Sequence, residues 1–452
     1  MYSLPIIALI IFSLIGAIYA FLLAKRVGRA LNFRTLIILY YVAINLLSGV
    51  VHLSKISGQS RGFFDATTAQ PDVVASATLG NLLGLFALCV GCTLRLPAQT
   101  TGLAHPPLLS NDRRILFALL AIITPLAFYS FRVLQHYIDT VGYTRGVTID
   151  QGMARYVFLS SWTAWVICFV ALLLLSRTRT PLVAMLILAA SSVGIISLAS
   201  WSGGRTEGLV TLAPLLIVTA YRLRGLRRPA AIASAAVALA YITSVTAERL
   251  GPSSSTQSSL FTWLDWEIGR FSMLGFATEY VNQHGPLLGE TYVATLSNLM
   301  LGILRMLGFD APNPNLRLML DITGVETLGR NVSYVVAGMS AELYINFGIV
   351  GIVSGFFLLG MAVGAVDTRL TTSNSLLTQF FWAFLGINLL FRTISSDASA
   401  IGYYLLYSGL PVVLAGVLSI LSARHLTQNH QLPSPDAPTR YRSRAIARQT
   451  RR

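Results

Sequence analysis

Eleven stretches of this chain are apolar over close to the length that a helix needs to cross a bilayer, about 20 residues at 1.5 Å rise each for a hydrocarbon core about 30 Å thick. They fall at 4–24, 35–54, 73–94, 115–134, 156–176, 181–200, 206–221, 230–246, 345–366, 376–391 and 401–421. With 54% of the residues hydrophobic and 11% charged, too little polar surface remains to cover a water-soluble fold. The expected fold class is all-α, a polytopic integral membrane protein of about 11 transmembrane helices. A second span follows the first directly, without a small-residue cleavage site, so the first is read as a retained helix and not as a signal peptide.

The basic residues set an orientation. Lys and Arg accumulate on the cytoplasmic side of a membrane because translocating them is disfavoured. With the N-terminus outside, 21 of the 33 Lys and Arg fall inside, whereas 15 of the 18 Asp and Glu fall outside. The net charge of +15 is thereby topological, and the nucleic-acid partner that such a charge otherwise suggests is rejected. The chain divides into spans 1–8 (1–246), one long outer loop (247–344), spans 9–11 (345–421) and a basic tail (422–452). The tail, rich in Pro, Ser and Arg, reads as disordered and either attracted to anionic membrane lipids or simply solvated.

Cys89, Cys92 and Cys168 all lie within spans, where they read as small buried apolar residues. In the long loop, Tyr292, Leu296, Leu299, Ile303 and Met306 recur at helical spacing, which predicts an amphipathic helix over 291–307 lying on the bilayer surface. Trp263, Trp266 and Phe271 suit the headgroup level. Pro312-Asn313-Pro314-Asn315 then interrupts helix. No internal repeat or inverted hydropathy of the transporter kind is visible.

Charges at or inside a span cost about 2.5–3.5 kcal/mol on insertion scales, so they persist with a partner or a task. Arg205 and Glu207 sit in Ser202-Gly203-Gly204-Arg205-Thr206-Glu207-Gly208, where two spans meet at the outer face. Arg392 follows the tenth span, and Glu342 precedes the ninth. Arg270 and Arg330 stand in the long loop. One reading is an outward cavity in which arginines bind a diphosphate, because a planar guanidinium presents paired donors to phosphate oxygens. The other is interhelical ion pairing or snorkelling to the interface. Glu342, Glu207 and His284 are the outward candidates to accept the proton of an attacking sugar hydroxyl, and spacing alone separates none of them. Asp265-Trp266-Glu267 could hold a divalent metal, although an exposed helix face explains it as well. No cofactor is expected.

Two stretches carry a family resemblance: Ser202-Gly203-Gly204-Arg205-Thr206-Glu207-Gly208-Leu209, and 338–351, from Gly338-Met339-Ser340-Ala341-Glu342 through Leu343-Tyr344-Ile345-Asn346-Phe347-Gly348 to Gly351. They resemble bacterial O-antigen polymerases of the Wzy type, with an arginine after a glycine turn, a large periplasmic loop, and a Gly-x-Ser…Tyr-x-Asn-Phe-Gly-x-x-Gly pattern opening the next span. The resemblance implies a metal-independent glycosyltransferase of the inner membrane, its N-terminus periplasmic and its C-terminus cytoplasmic. That enzyme joins undecaprenyl-diphosphate-linked oligosaccharide repeat units into O-antigen or a related polysaccharide, with a chain-length regulator as a further partner. Arg205, Glu342, Tyr344 and Asn346 match its motifs; Arg270, Arg330 and Arg392 rest on charge and location. Glu342 is then the base or acceptor-sugar ligand and Arg205 and Arg392 hold diphosphate. The alternatives are an O-antigen ligase, with the same donor and a lipid A core acceptor, and a flippase of the same lipid-linked sugar.

Overall fold

The computed structural model describes residues 2–27, 32–57, 70–94, 108–141, 154–178, 180–201, 205–222, 270–306, 338–396 and 398–431. Every regular element among them is helical. Among the described residues seven helices are long and apolar enough to cross a membrane: Ser3–Val27, Phe33–Ser54, Pro71–Thr93, Ser110–Tyr137, Leu159–Arg177, Gly338–Thr372 and Leu376–Ser395. Shorter apolar stretches at Leu182–Leu198, Val210–Thr219 and Leu410–Ala423 fall on three more of the expected spans. The expected span at 230–246 lies outside the described residues, together with Trp263, the Asp265-Trp266-Glu267 motif, Arg330 and 432–452 of the tail.

In chain order the helices are α1 (Ser3–Val27), α2 (Phe33–Tyr41), which continues through a π-helical segment (Val42–Leu47) into α3 (Ser48–Ser57), α4 (Pro71–Thr93), α5 (Ser110–Val141), α6 (Ala154–Arg177), α7 (Pro181–Trp201) and α8 (Arg205–Arg222). There follow α9 (Phe271–His284), α10 (Glu290–Met306), α11 (Gly338–Thr372) and α12 (Leu376–Ile387). A second π segment (Asn388–Arg392), α13 (Thr393–Ser395), α14 (Ala398–Tyr403), a third π segment (Tyr404–Ser408) and α15 (Leu410–Gln431) complete the described elements. The starts have local causes. Asn32 caps α2 by accepting from Thr35 N at 2.8 Å, Ser375 caps α12 by accepting from Thr378 N at 3.2 Å, and Pro71 opens α4, where its missing N–H costs nothing.

The bundle is held by close approach of small residues and by a few buried polar ties, since lipid provides no hydrophobic force between helices. Helices α4 and α11 meet backbone to backbone: a methyl added at Gly360 would stand 2.6 Å from Leu88 O and 2.8 Å from Cys92 N. The Tyr41 hydroxyl donates to Asn81 O at 2.9 Å and its ring meets Phe356 edge-on. At one end of the bundle the Arg34 and Asp367 side chains are fully buried, 3.5 Å apart. Arg34 also donates to Gly364 O at 2.9 Å, and Asp367 accepts from Phe33 N at 3.2 Å. Near that end, buried Asp112 accepts from Ser375 and Ser419, each at 2.6 Å, and so joins α5, α12 and α15. The three cysteines are free thiols packed among helices. On the outside of the bundle large apolar side chains stand exposed, Leu4 at 76% and Phe21 at 71% among them, as a surface in contact with lipid tails permits and water does not.

The expected amphipathic helix is present as α10, but its apolar stripe is divided. Of its members Tyr292 packs against the core and Leu296 is exposed, while Thr291 and Thr295, off the stripe, are buried. The threonines turn inward because Thr291 finds hydrogen-bond partners there. Phe271 also departs from the expected headgroup position: it is buried at the start of α9, beside Gly49 and the His52 ring.

Candidate active site: two arginines and a glutamate around a broken helix

Helix α11 is broken at Gly348, whose φ of 62° and ψ of −151° lie where an L side chain is strained. The arm before the break, 338–347, folds back so that Leu343 packs on Gly351 and Gly355. Two carbonyls near the break are met from the α9–α10 turn: Ile345 O accepts from Leu287 N at 2.9 Å and Asn346 O from Leu288 N at 3.0 Å. Asn346 completes the clamp with its side chain. Its Oδ1 accepts from Gly289 N at 3.0 Å and Thr291 N at 3.4 Å, and its Nδ2 donates to Thr291 Oγ1 at 2.6 Å and Glu342 O at 2.7 Å. The loop helix α10 is thereby fixed to the arm that carries Glu342.

Glu342 is buried, 4% exposed. Its Oε1 accepts from the Thr291 hydroxyl at 3.1 Å and its Oε2 from Ala398 N at 2.8 Å. The second contact joins it to residues 392–398, where α12 passes through its π segment, ends, and restarts as α14. Arg392 closes that π segment, 5% exposed, with its guanidinium carbon over the Tyr404 ring. Arg270, just before α9, donates from Nε to Ser395 O at 3.0 Å and lies against Gly338 at the start of the Glu342 arm. The Tyr40 hydroxyl is hydrogen-bonded to the Ser395 side chain, within electrostatic reach of both Arg270 and Arg392. Arg270 and Glu342 thus reach, from two distant parts of the sequence, the short segment that begins with Arg392.

All three π segments serve this cluster. A π turn leaves carbonyls and side chains out of step with the helical ladder, and such turns are frequent at functional sites. In the first, Ile44 O accepts from Arg270 N at 3.4 Å and Asn45 Oδ1 accepts from the Ser340 hydroxyl at 3.1 Å. The second delivers Arg392. The third begins with Tyr404 and is fixed to α6, where Trp162 and Trp165 donate to Tyr407 O and Ser408 O at 2.8 and 2.6 Å. Beside Glu342, the Tyr292 ring lies parallel to that of Phe347, centroids 6.1 Å apart. Burial first, and the Glu342 carboxylate second, push the Tyr292 phenol up, which keeps it a neutral donor.

Among the residues that the sequence singles out, Arg270, Arg392, Glu342 and Asn346 are brought together. Asn346 engages the protein itself with both side-chain atoms, and Tyr344 is buried in the apolar core. His284 is apart from the cluster: it is exposed at the end of α9, its Nδ1 3.2 Å from Tyr280 O and its ring stacked on that of Tyr280. Arg205 opens α8 and Glu207 follows in its first turn, but their side chains lie outside the described residues. Thr291, Tyr40, Ser395 and Tyr404 escape a reading by charge because each is an ordinary residue of an apolar or amphipathic run. The signal that could mark them is a polar side chain at the point where a span stops being regular.

A family model, O-antigen polysaccharide polymerase Wzy, matches residues 1–423. No curated protein and no solved structure matches the chain significantly. With the family match running through every span and through both halves of the charged cluster, this membrane protein belongs to the Wzy O-antigen polysaccharide polymerase family.

Proposed function

We propose that the chain polymerises oligosaccharide repeat units carried on undecaprenyl diphosphate, and that the bond is made at the Arg270–Arg392–Glu342 cluster. The match to the O-antigen polysaccharide polymerase family over residues 1–423 supports this class of reaction. In the step we assign, a hydroxyl of the incoming unit attacks the anomeric carbon of the growing chain, the bond from that carbon to the diphosphate oxygen breaks, and the lipid diphosphate leaves. The hydroxyl proton passes to the Glu342 carboxylate. Arg270 and Arg392 face the charge that grows on the leaving group, a stabilisation that strengthens as water is excluded and that needs no metal.

The observation that carries this reading is the convergence of the three charges on residues 392–398. Arg205, with Glu207, and Arg330 are assigned to a second diphosphate, and His284 to the entrance. The charge asymmetry of the loops supports assigning the cluster to the periplasmic face of the inner membrane, with the N-terminus on that face and the C-terminal tail in the cytoplasm. A chain-length regulator would act from the same side.

The test is the banding of surface polysaccharide from a strain lacking this protein, complemented with wild type, Arg392→Ala or Glu342→Gln. Collapse of the ladder to one repeat unit on the lipid core, restored by wild type alone, is the expected result. An unchanged ladder would overturn the reading, and long chains retained on the carrier with none on the core would point to a ligase.

A further inference from the structure

Below the break in α11 a groove of about 440 Å³ runs between α4 and α11. Ile349, Val353 and Phe357, at i, i+4 and i+8 on α11, form one wall, and Phe86 and Val90 on α4 form the other. The polar side chain in the groove, Ser354, turns its hydroxyl to Val350 O at 2.7 Å and leaves the lining apolar. Val350 and Phe86, at its edges, are 74% and 68% exposed, so the groove opens on the face that meets lipid. From Ile349 to Phe357 it extends for about 12 Å along the helix.

We infer that this groove holds the polyprenyl chain of the lipid-linked substrate. The inference rests on the polymerase reading and names where its carrier lies. The groove ends at the Gly348 break, and immediately above the break Phe347, 45% exposed, stacks on Tyr292. Tyr292 adjoins Thr291, whose hydroxyl donates to Glu342. A chain seated in the groove therefore delivers its head to the Phe347–Tyr292 step, beside the Glu342 carboxylate. Continuity with a cluster that holds two arginines suits a diphosphate head, which carries more charge and more acceptor oxygens than the single phosphodiester of a membrane phospholipid. The break makes the connection: an unbroken α11 would carry Glu342 farther along the helix axis, away from the groove.

The experiment uses the full chain in nanodiscs of phosphatidylethanolamine and phosphatidylglycerol, with two photoreactive probes, a diazirine-bearing polyprenyl diphosphate and a diazirine-bearing phosphatidylethanolamine. The polyprenyl probe is expected to label 349–357 and 86–90, to be displaced by undecaprenyl diphosphate, and to lose that labelling in Val353→Trp and in Val350→Trp, the latter at an exposed position where the larger ring is readily housed. In turnover with repeat units on long and on short prenyl carriers, Val350→Trp should raise KM for the long carrier by about tenfold and leave the short one unchanged, since only the long chain loses buried apolar contact. Equal labelling by both probes with no displacement, or equal KM changes for both carriers, would overturn the inference. Labelling in the groove by a chain that polymerises nothing would refute the polymerase reading and leave the lipid site standing.

Discussion

The Thr291 hydroxyl donates to Glu342 Oε1 at 3.1 Å while it accepts from Asn346 Nδ2 at 2.6 Å, so the order of the chain fixes the direction of every proton in it. An amide nitrogen can only donate, which leaves the hydroxyl proton to point at the carboxylate. The loop helix and the broken span meet in this contact, and the carboxylate is presented at their seam.

Glutamine at position 342 can keep both contacts, with its oxygen toward Ala398 N and its amide toward Thr291, whose hydroxyl is free to rotate. Glu342→Gln should therefore fold with a stability change within about 1 kcal/mol. It should nevertheless lose polymerisation by about 10²- to 10⁴-fold, the usual worth of a general base. Thermal unfolding in detergent and single-turnover polymerisation of lipid-linked units separate the two effects. A variant that polymerises at the wild-type rate would remove Glu342 from the reaction.

The break in α11 depends on Gly348 for conformation alone, since a methyl there would meet nothing within 4 Å. Gly348→Ala should cost about 1–3 kcal/mol of backbone strain and lower the melting temperature without any change in packing. Asn346→Leu removes the clamp at the same corner and leaves Gly289 N and the Thr291 groups to be satisfied elsewhere, at about 1–3 kcal/mol for each one left buried. Both variants are expected to lose activity and stability together, unlike Glu342→Gln. Full stability in Asn346→Leu with activity lost would instead make Asn346 a ligand of the sugar.

These contrasts show where the sequence is transparent. Helices bathed in lipid must be apolar over their length, so hydropathy locates the described spans, and the cost of a charge beside a span singles out Arg392 and Glu342 as candidates, whereas Arg270, in the long loop, stands out by charge and location alone. The break is hidden because Gly348, Gly351 and Gly355 form one glycine series in which two serve packing and one serves φ. The π segments are hidden for a related reason: an offset of one residue in the hydrogen-bond ladder leaves the apolar pattern intact. The inward turn of the α10 threonines is hidden because lipid, unlike water, lets a helix expose its apolar side.

At the opposite end of the bundle, the Arg34–Asp367 pair offers a structural control. Removing one partner strands a buried charge, a loss of about 3–5 kcal/mol. Asp367→Asn or Arg34→Met should reduce the amount of folded protein in the membrane, and the double Arg34→Met, Asp367→Leu variant should recover part of it. Whatever folds should use donor with the wild-type KM, because the pair lies far along α11 from Glu342. A raised KM in the folded fraction would show that the two ends of the bundle communicate.

Arg392 gives the sharpest test of the diphosphate assignment, because its guanidinium is both enclosed and seated over the Tyr404 ring. Lysine keeps the charge but loses the planar stack and the fork of donors that matches phosphate oxygens. Arg392→Lys should polymerise slowly with a raised donor KM, and Arg392→Ala should be inactive. Tyr404→Leu leaves the charge in place and removes the surface that orients it, a contact worth about 0.5–2 kcal/mol. It should raise donor KM by a few-fold to about thirtyfold, by that conversion. If Arg392 acts only by charge, Arg392→Lys will match wild type and Tyr404→Leu will be silent; if the flat geometry recognises the diphosphate, the two variants will share one phenotype, a weakened hold on donor in a protein that still folds.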